Sequence, residues 1–189
     1  MTILNTDKVF VGVNWGAIEK TNILGRKLVP VDLDVCCAVK SVDGRIIELA
    51  YYASKDILSG AVKHSGDDYT GDRFGDDGLD NEVIIIELSS LPEDVKSLVF
   101  LLNSYSNIEF SKIPFASIRL YSGGRDQPIE VYENYNISDE QEFADSVSMI
   151  LGEIYRKEDH WAFKNIGQAT DDKTLEEVIK RLKDNENNI

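Results

Sequence analysis

The chain has 189 residues, 42% hydrophobic and 29% charged, enough for one domain with its own core, and a formal net charge of −14. That excess of acid argues against direct binding to a nucleic-acid backbone, which needs clustered Lys and Arg. It also disfavours docking on an anionic membrane, and it suits cations.

No apolar run reaches the length of a membrane span, and the start MTILNTDKVFVG lacks a hydrophobic signal stretch, so a cytoplasmic protein is expected. The two cysteines, Cys36 and Cys37, are adjacent. Neighbours on a strand point to opposite faces, so they are poor disulfide partners and fit a reducing compartment. With only His64 and His160 besides, no zinc site is expected.

In chain order, Lys8 to Trp15 alternates, with Val9, Val11, Val13 and Trp15 on one face of a strand. Thr21 to Pro30 reads as a loop. Val31 to Ser41 is the next strand: Val31, Leu33, Val35, Cys37 and Val39 fall on one face, and Asp32, Asp34, Cys36, Ala38 and Lys40 on the other. Asp32 and Asp34 therefore project side by side, roughly 7 Å apart at two strand rises. Aspartate is depleted in strands; the pair is either a solvent face or half of a binding site. Asp43-Gly44 turns the chain into a strand over Ile46–Tyr52. Ala61–His64 is a short strand, and Val83–Leu88 a buried one. A helical turn is expected from Ser90 through LPEDVKS. Leu98–Tyr105 and Phe115–Tyr121 read as strands, with a turn at Ser122-Gly123-Gly124 and a return over Pro128–Tyr132. Ser146–Arg156 is apolar and fits helix or strand; the turn at Lys157–His160 and the strand Trp161–Ile166 favour a hairpin. Leu175, Val178, Ile179 and Leu182 recur at helical spacing in an amphipathic tail helix over about 172–184, and Asn185–Ile189 is expected to fray. Many short strands and little helix predict an all-β fold, a β-sandwich of two antiparallel sheets with short helical segments, in a single domain over 1–189.

The chemistry concentrates in His64–Glu82, HSGDDYTGDRFGDDGLDNE. Asp67, Asp68, Asp72, Asp76, Asp77, Asp80 and Glu82 are opposed only by Arg73, with Gly71, Gly75 and Gly78 interleaved. Packed like charges need a counter-charge, and hard oxygen donors on a glycine-punctuated loop suit Ca²⁺, which takes six to eight oxygens. An EF-hand is excluded: placing Gly66, Gly71, Gly75 or Gly78 at its sixth position puts Ala61, Gly66, Thr70 or Arg73 at its first, and none is an acid. The bland alternative is a solvated acidic loop.

Gly12-Val13-Asn14-Trp15, Asp32-Leu33-Asp34, His64-Ser65-Gly66-Asp67, Thr70-Gly71, Asp80-Asn81-Glu82, Gly152–Arg156, Trp161-Ala162-Phe163 and Gly167-Gln168 occur in that order. The ordered set resembles the TerD family of bacterial tellurium-resistance and stress-response proteins, up to about residue 170. Gly16 departs from the aspartate the family often carries after the tryptophan, and the acidic loop is longer than usual. The resemblance implies a calcium-binding β-sandwich without established catalytic activity. It implies about two Ca²⁺ held among Asp32, Asp34, Asp67, Asp68, Asp72, Asp76, Asp77, Asp80 and Glu82, with other stress-response proteins as partners. The competing reading of the same acids is a metal-dependent hydrolase holding Mg²⁺ or Mn²⁺ with His64 as base.

Overall fold

The computed structural model describes residues 1–23 and 25–186. Its strands in chain order are β1 (Thr2–Ile3), β2 (Lys8–Trp15), β3 (Ile18–Asn22), β4 (Gly25–Val29), β5 (Leu33–Ser41), β6 (Ile46–Ala50), β7 (Asp56–Ile57), β8 (Val62–His64), β9 (Glu82–Glu87), β10 (Val95–Ser104), β11 (Ala116–Gly124), β12 (Gln127–Tyr135), β13 (Ser148–Lys157) and β14 (His160–Thr170). They are followed by one helix, α1 (Leu175–Glu186). Two six-stranded antiparallel sheets form, in the orders β1-β14-β13-β10-β5-β6 and β12-β11-β2-β9-β8-β7, and β3 and β4 make a separate hairpin. The alternation read from the sequence sets the sandwich. Val9, Val11, Val13 and Trp15 of β2 meet Val35, Cys37 and Val39 of β5 in one buried core.

Strand β5 is buried on both faces. Its outer face carries Cys36 and Ala38, which pack with Val99, Leu101 and Ile150 under Val178 and Leu182 of α1. The adjacent thiols therefore lie in two different apolar layers, both buried and unpaired. Of the stretch 146–156, which fitted helix or strand, Ser148 onward is strand, as β13, and the expected hairpin with the segment after it forms.

Three local expectations are corrected. Thr21–Pro30 is not a loop, because Ile18–Asn22 and Gly25–Val29 pair in register as a hairpin. No helical turn starts at Ser90; a single 3₁₀ turn spans Leu88–Ser90, ahead of Pro92. Ser122–Gly124 is not the turn of its hairpin. Strand β11 continues through it and the chain reverses at Arg125-Asp126, with Asp126 at φ 61°. Gly123 serves a close approach instead: a Cβ there would lie 2.7 Å from both Gln127 O and Ile129 N. Helix α1 extends to Glu186, so of the residues expected to fray, 187–189 lie outside the described residues.

The site is framed as expected. The acidic loop leaves β8 and returns into β9, which are neighbours in one sheet.

Candidate metal centre

The loop is stitched to β2. Asp72 N–H donates to Trp15 O and Ala17 N–H to Asp72 O, both at 2.9 Å. The indole of Trp15, fully buried, donates to Val31 O at 2.8 Å, and its backbone N–H donates to Asn81 Oδ1 at 2.8 Å. Gly71 lies against that ring: at φ 66°, an added Cβ would meet Trp15 Cδ1 at 2.5 Å. Only glycine fits such a position without strain.

Two groups of carboxylates result. In the first, Asp32, Asp34 and Asp67 bring one oxygen each within 4.8 Å of one another. Asp34 is only 4% exposed, and Asp32 Oδ1 and Asp67 Oδ1 are buried without a hydrogen-bond partner. Burial, followed by the charges of Asp32, Glu82, Asp67 and Glu176, pushes the Asp34 carboxyl up to about 8. Burial, then Asp67, Glu82 and Asp68, raises Asp32 to about 6. Buried acceptor oxygens without donors are rare in folded proteins and point to a missing partner. Clustered acids with raised pKa values mark a place where a cation is favoured.

In the second group, Asp72, Asp76 and Asp77 meet the same 4.8 Å criterion at the loop's outer end. Asp72 accepts from Asn81 Nδ2 at 3.0 Å, and Asp76 from Asn14 Nδ2 at 2.9 Å. Asn14 Oδ1, on the same amide, is buried and unpartnered. Sequence reasoning did not mark Asn14 or Asn81 as site residues. The available signal was their placement: Asn14 stands within β2 beside Trp15, and Asn81 directly precedes β9, where the loop ends.

The other expected ligands are engaged by the protein itself. Asp68 Oδ1 accepts from Thr70 N–H, Thr70 Oγ1 and Gly71 N–H, which shapes the turn and leaves Oδ2 toward Asn81. Glu82, fully buried, accepts from Val35 N–H at 3.1 Å and Asp68 N–H at 3.2 Å, tying β9 to β5 and the loop. Asp80 stands apart from both groups. Arg119 holds it at 2.9 Å, Tyr121 donates to it at 2.8 Å, and Gly12 makes room for it, since a Cβ there would sit 2.0 Å from Asp80 Oδ2. His64 is buried: Nδ1 accepts from Gly66 N–H, and Nε2 faces Glu82 Oε2 at 3.3 Å. The ring is fully enclosed beside Glu82, whereas the hydrolase reading would need a base within reach of substrate.

The comparisons agree with this architecture. A family model, the TerD domain, matches residues 3–182, so the likeness takes in most of α1 rather than ending near residue 170. The stress response protein SCP2 of Bacillus subtilis (strain 168) is 30% identical over 186 residues, 92% of this chain and 88% of that protein. The tellurium resistance protein TerZ of Serratia marcescens is 28% identical over 170 residues, 88% and 82% of the two chains. Among solved structures, SAV2460, described as a protein of unknown function, aligns with a TM-score of 0.73 at 18% identity, over 93% of this chain and 95% of that one. A homologue of the telluride resistance protein TerD, SCO6318 from Streptomyces coelicolor A3(2), aligns with a TM-score of 0.71 at 15% identity, over 89% and 93%. With a family match nearly end to end and the same sandwich in both neighbours, this chain belongs to the TerD family.

Proposed function

We propose that the chain is a non-enzymatic, cytoplasmic calcium-binding protein of the stress-response and tellurium-resistance type, taking about two ions. The observation that carries the reading is the pair of buried, donorless oxygens, Asp32 Oδ1 and Asp67 Oδ1, converging with Asp34. Asp32, Asp34 and Asp67 would hold one ion, and Asp72, Asp76 and Asp77, with Asn14 Oδ1, the other. Calcium accepts irregular shells of carboxylate and amide oxygens, whereas Mg²⁺ demands a near-octahedral set, so acids drawn from a strand and a flexible loop suit calcium better. When bound, the ion supplies positive charge and no chemical step. The chain's own residues do the positioning: Glu82, His64 and Asp68 fix the loop, and Trp15 and Asn81 fasten it to β2. Asp80 belongs to the frame.

Calorimetric titration of chelator-treated protein tests this. About two Ca²⁺ should bind in preference to Mg²⁺, taking the formal charge from −14 to −10. No binding at millimolar calcium would remove the reading. The relatives' names extend it to a role in stress response or tellurium resistance, tested by survival of a deletion strain under tellurite; other stress-response proteins are the partners we propose.

A further inference from the structure

The charge of this acidic chain is unevenly spread. The hairpin Ile18–Val29 carries Lys20, Arg26 and Lys27 against a single acid, Glu19, and all three cations are exposed. It ends in Ile23, whose side chain is as exposed as in a free chain, at 102%. Beside it stands the outer end of the acidic loop. A groove of about 500 Å³ separates the two, with Glu19, Arg26 and Leu28 on one side and Asp72, Arg73 and Phe74 on the other. Phe74 is 97% exposed and lies between Asp72 and Asp76 of the second carboxylate group. The two elements that border this groove thus each carry a fully exposed large apolar side chain, and Arg26 and Arg73 line the groove between them.

We infer that this end of the molecule docks on an anionic lipid surface when the outer carboxylate group is loaded with a divalent cation, with Phe74 and Ile23 inserting at the headgroup boundary. The inference rests on the calcium reading above. Charge selects the occupant. The hairpin is two positive, while Asp72, Asp76 and Asp77 against Arg73 leave the loop segment two negative. Without an ion the acids offset the hairpin and repel phosphate. One divalent cation cancels this outer segment of the loop and leaves the hairpin beside it two positive, as contact with an anionic surface requires. The ion also has capacity to spare. Three carboxylates, two of them on exposed residues, do not exhaust six to eight coordination positions, and lipid phosphate oxygens suit the rest. The whole-chain charge that disfavours a membrane is therefore a poor guide to this end.

Binding to phosphatidylcholine surfaces with and without equal parts phosphatidylglycerol, captured on a sensor chip, tests the inference, with calorimetry run in parallel without lipid. The expected result is calcium-dependent binding to the anionic surface alone. It should weaken roughly tenfold or more in each of Phe74→Ser and Ile23→Ser, since each removes most of an apolar side chain's transfer energy. Calcium affinity without lipid should not change in either variant. Calcium binding by calorimetry with no lipid binding would overturn this inference alone; no calcium binding at all would overturn both readings. Lipid binding that ignores chelator, or that is as strong in both variants as in the parent, would overturn it too. So would calcium-driven self-association lost in Phe74→Ser without lipid binding, which would assign the tips to a second copy of the chain.

Discussion

Substituting Asp34 by Asn should stabilise the metal-free protein and weaken its response to calcium. Three carboxylates within 4.8 Å would, if all ionised, repel by about 3–4 kcal/mol per pair at an effective dielectric of about 20. Asp34 belongs to two of the three pairs, and the metal-free fold escapes the full repulsion by retaining protons, as the raised Asp32 and Asp34 show. Asn fixes the neutral state at nearly constant shape. Its amide also offers donors to Asp32 Oδ1 and Asp67 Oδ1, the two buried oxygens that have none. A hydrogen bond to a charged group contributes about 1.5–3 kcal/mol, so a gain of about 1–3 kcal/mol is expected after side-chain adjustment. In a domain of this size each kcal/mol moves the melting temperature by about 2–4 °C. Calcium acts in the other direction. At a hundredfold excess over Kd an ion stabilises by about 2.7 kcal/mol, and a tenfold loss of affinity leaves about 1.4. Scanning calorimetry in chelator and then in excess calcium reads both effects. A lower metal-free melting temperature together with an undiminished calcium-induced rise would refute the reasoning.

Asp72→Asn combined with Asp76→Asn should lower the calcium stoichiometry from about two to about one in calorimetry, leaving the inner group intact. Arg119→Met should cost about 3–5 kcal/mol in denaturant unfolding, because it leaves the enclosed Asp80 carboxylate without its cation, while the calcium stoichiometry stays unchanged. In chelator, stability should fall as pH rises from about 4 toward 8. The folded state keeps the Asp34 proton across a window in which the unfolded state has released its own, so the unfolded state binds fewer protons there. The fall should be shallower in Asp34→Asn, and calcium affinity should rise over the same window; parallel pH–stability curves for the two proteins would contradict this.

The sandwich and the strand half of the site were legible in the sequence because a period of two is unambiguous on β5. One register puts Val35, Cys37 and Val39 inward, and Asp34 must then share the outer face with Cys36 and Ala38. That Asp34 is shielded rather than solvated could not be read, since it is enclosed by segments distant in sequence: Tyr51 and Tyr52, Asn103, the start of α1, and Asp67 of the loop. The nine acids looked alike in sequence. They differ in the fold according to what reaches them, and Arg119 and Tyr121 reach Asp80 from a strand that only the sheet order brings near. The β3–β4 hairpin escaped notice because its strands, IEKTN and GRKLV, show no apolar alternation; their pairing buries little and is held by backbone register. Gly123 and Gly124 suggested a turn by composition, whereas a glycine demanded by close backbone approach looks the same as one demanded by a reversal.

The adjacent cysteines carry a practical consequence. Cys36 lies beneath α1 and Cys37 between the sheets, and burial pushes both thiols well above their ordinary range. A thiol reagent attacks the thiolate and needs access, so each sulfur is silent until its own cover opens. Departure of the helix uncovers Cys36 while Cys37 stays sealed; only separation of the sheets uncovers Cys37. Two neighbouring atoms of one strand thus act as separate stopwatches, one for the loosening of the tail and one for the opening of the sandwich. The unmodified chain reports both events in a single labelling time course read by mass.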